Sequence, residues 1–382
     1  MTQLQPRDST QPPSYRRVVV KAGTTLLTQG SKQLDPYVMS SLVKQLAHLH
    51  EYGTEVVLVS SGAVAAGLQV LGVPRGGGGV SFKQALAAAG QGRLIHEYEQ
   101  LFERHGIPVA QALLSRRDLT DRLGYLNVRN TLLALLEVRA VPIINENDVV
   151  AVDELAGEVF GDNDNLSAMV ANLIDADLLV MLGEVDGLFT VDPNIDPGAK
   201  LIPVIDKMDE EIESLAGASW GGTGRGGMAT KIEAAKLATA SGVEVVIAKG
   251  TEPNVLWRLS QGERIGSLFR ATSTKMESRK RWMRSGLSTR GEIVVDKGAS
   301  KAMLQRHASL LPAGVSDLHG SFDRGDIVAV FDGESSQIAA GITNYGSSDL
   351  ANIKGVRSDR IEGILGHHYG DEVIHRNNMV VV

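Results

Sequence analysis

The chain has 382 residues, more than one hydrophobic core usually organises, so two or three domains are expected, with enough interior for a closed active site. Its 43% hydrophobic and 22% charged content is that of a soluble globular protein, and no apolar run reaches the roughly 18 residues of a membrane span, so a membrane protein is not expected. The absence of cysteine removes disulfides, thiolate metal sites and cysteine nucleophiles, and a net charge of −7 argues against a chain built wholly for nucleic acid.

Residues 1–14 (MTQLQPRDSTQPPS) are polar and proline-bearing with no apolar stretch; they read as a disordered tail and not a signal peptide, so a cytoplasmic location is expected. From residue 17 to about 269, short β-branched runs alternate with longer amphipathic stretches, the pattern of βαβ units around a mostly parallel sheet. Strands are expected at 17–21 (RVVVK), 55–60 (EVVLVS), 141–144 (VPII), 177–182 (DLLVML) and 243–248 (VEVVIA), their near-continuous apolar character implying burial on both faces. Between them Val38, Leu42, Val43, Leu46 and Leu49 recur at helical spacing, as do Leu132, Leu133, Leu135 and Leu136; these read as core faces. Gly76, Gly77, Gly78 and Gly79, after Pro74 and Arg75, suit neither helix nor strand and read as a mobile surface loop without a catalytic role.

The polar residues at the strand ends carry the chemistry. Lys21, Ala22, Gly23 and Thr24 follow the first strand, at the carboxyl edge where open α/β sheets place ligands, and glycine there allows close approach of a phosphate. Alone, a lysine ending a strand reads first as a solvated edge charge. Ser60, Ser61, Gly62 and Ala63 form a small polar turn after the second strand, leading into a helix; an anion site and a plain helix cap account for it equally. Asn145, Glu146, Asn147 and Asp148 follow VPII, and Gly161, Asp162, Asn163, Asp164 and Asn165 precede a helix expected to begin near Leu166. Acids and amides this dense suit an ammonium group, the organisation of lysines, or magnesium; as turns and caps they would need no function.

Residues 221–231 (GGTGRGGMATK) make a glycine-rich loop running into a helix with a lysine in its first turn, an arrangement that cradles phosphate with backbone amides while the lysine supplies full charge. It lacks the Walker pattern. Gly222, Gly224 and Gly227 match G-x-G-x-x-G, but a helical segment precedes them and no acid follows at the required distance, so the dinucleotide fingerprint fails in context. Gly217, Ser219 and Gly221 match G-x-S-x-G without the strand a nucleophile elbow needs. From about residue 273 a polar stretch with Lys275, Arg279, Lys280, Arg281 and Arg284 gives way to short strands near 292–295 and 326–331, a linker followed by a small β-rich domain.

Taken in order, V-V-K-x-G-T, S-S-G-A, I-N-E-N-D, G-D-N-D-N-L-S-A and G-G-M-A-T-K closely resemble the amino-acid kinase family, in particular its members that phosphorylate glutamate. EIVVDKGASKAML, SLLPAGV, FDRGDIVAV and HHYGDEVIHRNNMVV resemble the PUA domain appended to many of them. The resemblance implies a three-layer α/β sandwich around a mostly parallel sheet at 15–272, a linker at 273–290 and a PUA-like domain at 291–382. It implies that Lys21 and Lys231 hold the phosphates of ATP, that Asp164 orients both lysines, and that Ser61, Asp148 and Asn163 bind glutamate with Asp162 nearby. Gly23, Thr24, Arg225, Gly226, Gly227, Met228, Ala229 and Thr230 would line the nucleotide, as would Gly183 and Glu184, which stand where relatives commonly carry Thr-Asp.

The implied reaction is in-line attack of the substrate γ-carboxylate on the γ-phosphate of Mg-ATP, yielding glutamyl 5-phosphate and ADP for proline biosynthesis. The implied partners are L-glutamate, proline as feedback inhibitor, a glutamyl phosphate reductase and further copies of the chain. Direct metal ligands are not implied. Competing readings are another acceptor within the family (aspartate, N-acetylglutamate, carbamate or UMP) and an RNA-binding role for the PUA-like segment, which the acidic balance disfavours.

Overall fold

The computed structural model describes residues 14–31, 33–73, 79–151, 163–193, 195–217, 227–275 and 289–381. Two compact units emerge, Met1–Leu119 with Arg129–Lys275, and Thr120–Val128 with Met276–Val382.

The first unit is built on an eight-stranded sheet: β1 (Arg17–Ala22), β2 (Glu55–Val59), β3 (Val109–Leu114), β4 (Val141–Glu146), β5 (Leu178–Gly183), β6 (Val204–Ile205), β7 (Glu244–Lys249) and β8 (Ser267–Phe269), in the order β3-β4-β2-β1-β5-β7-β8-β6. Every pairing is parallel except β7 with β8. The apolar runs read from the sequence form β1, β2, β4, β5 and β7, the middle of the sheet, and bury Val18, Val20, Val56, Leu58, Val180 and Val246 in one core. The helix Pro36–Glu51 lays Leu42, Val43, Leu46 and Leu49 into that core. Asp35 caps it by accepting from the amides of Tyr37 (2.8 Å) and Val38 (3.1 Å).

Three strands escaped the sequence reading. β3 (VAQALL) is only half-buried over most of its length and carries alanines and a glutamine in place of a β-branched run, while β6 and β8 are too short to show a period. A 24-residue helix, Val80–Glu103, was also unread, because small residues (Ala85, Ala87, Ala88, Ala89, Gly90, Gly92) dilute its apolar stripe. One of them, Gly90, serves packing against the helix Ala63–Leu71. A Cβ on Gly67 would lie 1.9 Å from the Leu86 carbonyl oxygen, and one on Gly90 would lie 2.0 Å from that of Ala63. The two helices therefore meet backbone to backbone.

The second unit has a five-stranded sheet of β9 (Gly291–Val295), β10 (Val315–Gly320), β11 (Ile327–Phe331), β12 (Gln337–Ile342) and β13 (Met379–Val381), ordered β10-β9-β11-β12-β13 and antiparallel except for β9 with β11. Ile293, Val295, Val328 and Val330 from alternate strand positions join Tyr345, Leu350, Ile353 and Ile374 in its own core. No helix among the described residues is long and apolar enough to cross a membrane.

Candidate active site

Register brings the polar strand ends to one edge of the sheet. Lys21 stands opposite Val59 of β2 and Met181 of β5, and Val59 stands opposite Ile144 of β4. Ser60, Ser61, Asn145 and Gly183 therefore emerge along the same edge as Lys21. The helix Asn163–Leu173 opens there three residues earlier than the sequence pattern indicated, so Asn163 and Asp164 belong to its first turn instead of the preceding loop.

Asp164 is completely buried and bridges two lysines from distant parts of the chain. Its Oδ1 lies 2.6 Å from Lys21 Nζ, and its Oδ2 lies 2.8 Å from Lys231 Nζ and 2.9 Å from Thr230 Oγ1. Lys21 is 3% exposed and Lys231 13%, so the pairings sit where water screens them little. Burial pushes the Asp164 carboxyl up, but Lys21 and Lys231 more than offset it and hold it well below the usual carboxylate range. Two ammonium groups sharing one carboxylate leave a positive excess at the sheet edge, already desolvated and already aimed, which is what an incoming polyphosphate requires.

The glycines leave room around these cations. A Cβ on Gly23 would come 3.3 Å from Lys21 Nζ, and one on Gly183 would lie 3.5 Å from Lys231 Cε. Gly227 is the N-cap of the helix Met228–Thr239, which carries Lys231 in its first turn. Of the other residues expected at the nucleotide, Thr24, Glu184 and Ala229 are exposed, Met228 is buried, and Thr230 turns its hydroxyl inward onto Asp164. Asp162, Arg225 and Gly226 lie outside the described residues.

Asn163, one residue before Asp164, faces a second and uncharged cluster. Its Nδ2 approaches the Ser60 carbonyl oxygen (2.9 Å), Ser61 Oγ (2.8 Å) and Asn145 Oδ1 (3.1 Å). Asn145 Nδ2 in turn donates to Gln91 Oε1 at 2.8 Å. Asn163 Oδ1 is buried and has no hydrogen-bond partner among the described residues, so this side chain keeps an acceptor in reserve for a donor such as an ammonium group. Asp148 lies in the loop after β4, where Gln84 Nε2 donates to its carbonyl oxygen at 3.1 Å. Burial pushes its carboxyl up to about 6.

Asn145 stood inside a cluster singled out by composition, but Gln84, Gln91 and Tyr98 were invisible as site residues. They lie within a helix that no motif marked, and their partners are 38 to 65 positions away in sequence.

Residues 16–249 match the model of the amino acid kinase family, a span that holds Lys21, Ser61, Asp148, Asn163, Asp164 and Lys231. The chain belongs to that family. Residues 291–365 match the PUA domain. A glutamate 5-kinase of Dehalococcoides mccartyi (strain CBDB1) is 52% identical over 368 residues, covering 96% of this chain and 99% of that protein. Another of the same name from Herpetosiphon aurantiacus is 52% identical over 366 residues, with 96% and 98% covered. One from Photobacterium profundum is 47% identical over 370 residues, with 97% of each chain covered. The site thus has two neighbouring clusters, a cationic one around Asp164 and a neutral, amide-lined one around Asn163.

Proposed function

We propose that this chain transfers the γ-phosphoryl group of ATP to the γ-carboxylate of L-glutamate, giving glutamyl 5-phosphate and ADP. One observation carries the reading: consecutive residues of one helical turn, Asn163 and Asp164, organise the amide cluster and the lysine pair respectively, so acceptor and phosphoryl donor meet across a single turn. The near full-length similarity to proteins named glutamate 5-kinase supports glutamate as the acceptor.

The nucleophile is a carboxylate, ionised at neutral pH, so no general base is required and Asp164 has no proton to accept. Catalysis reduces to alignment and charge stabilisation. Lys21 and Lys231 meet the charge that spreads over the phosphoryl oxygens in flight, and Asp164 fixes both ammonium groups so that little reorganisation accompanies transfer. Ser61 and Asn163 hold the acceptor by hydrogen bonds, and the Asp148 carboxylate faces its ammonium group.

Magnesium fits this site as a companion of the nucleotide. Among the described residues no three metal-ligating side chains gather, and the Asp164 carboxylate is already paired with two lysines, so the ion would be held chiefly by phosphate oxygens. When bound, it neutralises part of the phosphate charge. The product is an acyl phosphate that water destroys, so an enzyme consuming it, such as a reductase, has to take it up promptly. Resemblance to the family also supports inhibition by proline and assembly into homo-oligomers.

The test is purified protein with ATP, magnesium and hydroxylamine, assayed for hydroxamate and ADP with glutamate, aspartate and N-acetylglutamate in turn. Glutamate-dependent hydroxamate is expected. Product with another acceptor alone would replace glutamate in the proposal, and no product with any of them would overturn it.

A further inference from the structure

The helix Val80–Glu103 carries none of the residues assigned above to nucleotide or acceptor, yet three of its polar side chains each hold a different piece of the acceptor half. They are Gln84, Gln91 and Tyr98, spaced seven residues apart and therefore on one face. Gln84 Nε2 donates to the carbonyl oxygens of Asp148 (3.1 Å) and Val149 (3.0 Å). Gln91 Oε1 accepts from Asn145 Nδ2 (2.8 Å), whose Oδ1 accepts from Asn163 (3.1 Å). The fully buried Tyr98 hydroxyl lies 2.9 Å from Ser60 Oγ. The Ser60 hydroxyl also lies 3.2 Å from the Ser61 carbonyl oxygen, so the tyrosine reaches the whole of that turn. The helix is itself seated without slack, its Gly90 backbone against that of Ala63 and its Leu86 against Gly67.

We propose that this helix is the positioning element of the acceptor pocket: Gln84 sets the Asp148 loop, Gln91 sets the Asn145–Asn163 pair, and Tyr98 sets the Ser60–Ser61 turn, together fixing which amino acid the pocket accepts. The inference rests on the reading of Ser61, Asp148 and Asn163 as acceptor-binding. None of the three helix residues is catalytic; each acts through a neighbour. The physical reason for such a scaffold is that neutral hydrogen-bonding groups discriminate only when held within a fraction of an ångström. The segments they belong to are a strand end, a loop and the first turn of a helix, which do not hold themselves that well.

The experiment compares wild type with Gln84→Leu, Gln91→Leu, Gln91→Glu and Tyr98→Phe, measuring KM for glutamate and for ATP, kcat, the glutamate-to-aspartate ratio of kcat/KM, and Tm. Gln91→Leu is expected to raise the glutamate KM by about fivefold or more while leaving the ATP KM within about twofold, in line with loss of one buried hydrogen-bond partner. Gln91→Glu, which keeps the acceptor oxygen that Asn145 uses, is expected to recover most of that loss. Gln84, only partly buried, supplies the same comparison should Gln91→Leu fail to fold. Folded variants whose glutamate KM is unchanged, or whose glutamate and ATP KM rise together, would overturn the positioning role. Wild-type protein that makes no glutamate-dependent hydroxamate would instead overturn the acceptor assignment on which the role rests.

Discussion

The two halves of the site solve different problems with different chemistry. Around Asp164 the site is chiefly ionic: one buried carboxylate and two lysines, with the Thr230 hydroxyl beside them, assembled from β1, the helix Asn163–Leu173 and the helix Met228–Thr239. Around Asn163 everything is neutral, a chain of amides and hydroxyls running through Ser60, Ser61, Asn145 and Gln91. On the proposed assignment, charge serves the first half because phosphoryl transfer rewards electrostatic stabilisation and every nucleoside triphosphate presents the same phosphates. Neutral dipoles serve the second because a wrong acceptor leaves buried donors and acceptors unpaired, and that penalty is how a small polar ligand is distinguished from its near relatives.

If that division is real, mutations in the two halves will fail differently. The largest effect is expected from Asp164→Ala, which leaves two buried ammonium groups facing each other: activity should fall by more than about 10³-fold, and the melting temperature should drop with it, since breaking a buried ion pair typically costs about 3–5 kcal/mol. Activity assay and thermal melting of the same sample check both. Next comes Lys231→Ala, expected to lower kcat by about 10²- to 10³-fold with little change in the glutamate KM, because its charge acts on the phosphoryl group in flight. A variant that retains most of its kcat would remove Lys231 from the catalytic role. Asn163→Leu should show the opposite signature, a glutamate KM raised about tenfold or more against a nearly constant ATP KM. Equal effects on both substrates would dissolve the division between halves.

The same contrast explains what could be read in the sequence. The ionic half was legible through the family resemblance: Lys21, Asp164 and Lys231 each sit in a short motif at the end of a strand or the start of a helix, although a lysine ending a strand, taken alone, reads as a solvated edge charge. The middle of the sheet was legible directly, its strands being short apolar runs with few alternatives. The neutral half was legible only in pieces. Ser61, Asp148 and Asn163 stood in polar clusters, but what holds them is a set of separate hydrogen bonds from a helix rich in alanine and glycine, and no local pattern records a contact between Gln91 and Asn145. Gly90, one of the small residues that dilute the helix's apolar pattern, is also the point at which its backbone meets that of its neighbour, so the residue that helps hide the helix also helps seat it.

The smallest effect concerns Asp148, the one carboxylate assigned to the acceptor. It is a carboxylate, like Asp164, but no lysine accompanies it among its described contacts, and burial alone pushes its pKa up to about 6. Two consequences follow, of opposite sign. For function, the charged form is the one that meets the acceptor's ammonium group, so kcat/KM for glutamate should fall as pH drops through about 6 while kcat/KM for ATP does not follow it, and Asp148→Asn should abolish the inflection while raising the glutamate KM. For stability, the folded state keeps the proton to a higher pH than the unfolded chain does, so the contribution of this group is greatest below the ordinary carboxylate pKa and is lost as pH rises towards 6. Asp148→Asn should therefore be slightly more stable than wild type at neutral pH and a poorer enzyme, whereas Asp164→Ala loses both properties together. Melting curves and glutamate titrations of the two variants across pH 5 to 8 would settle whether Asp148 is retained for the ligand at the expense of the fold, as a group that binds and does not brace should be.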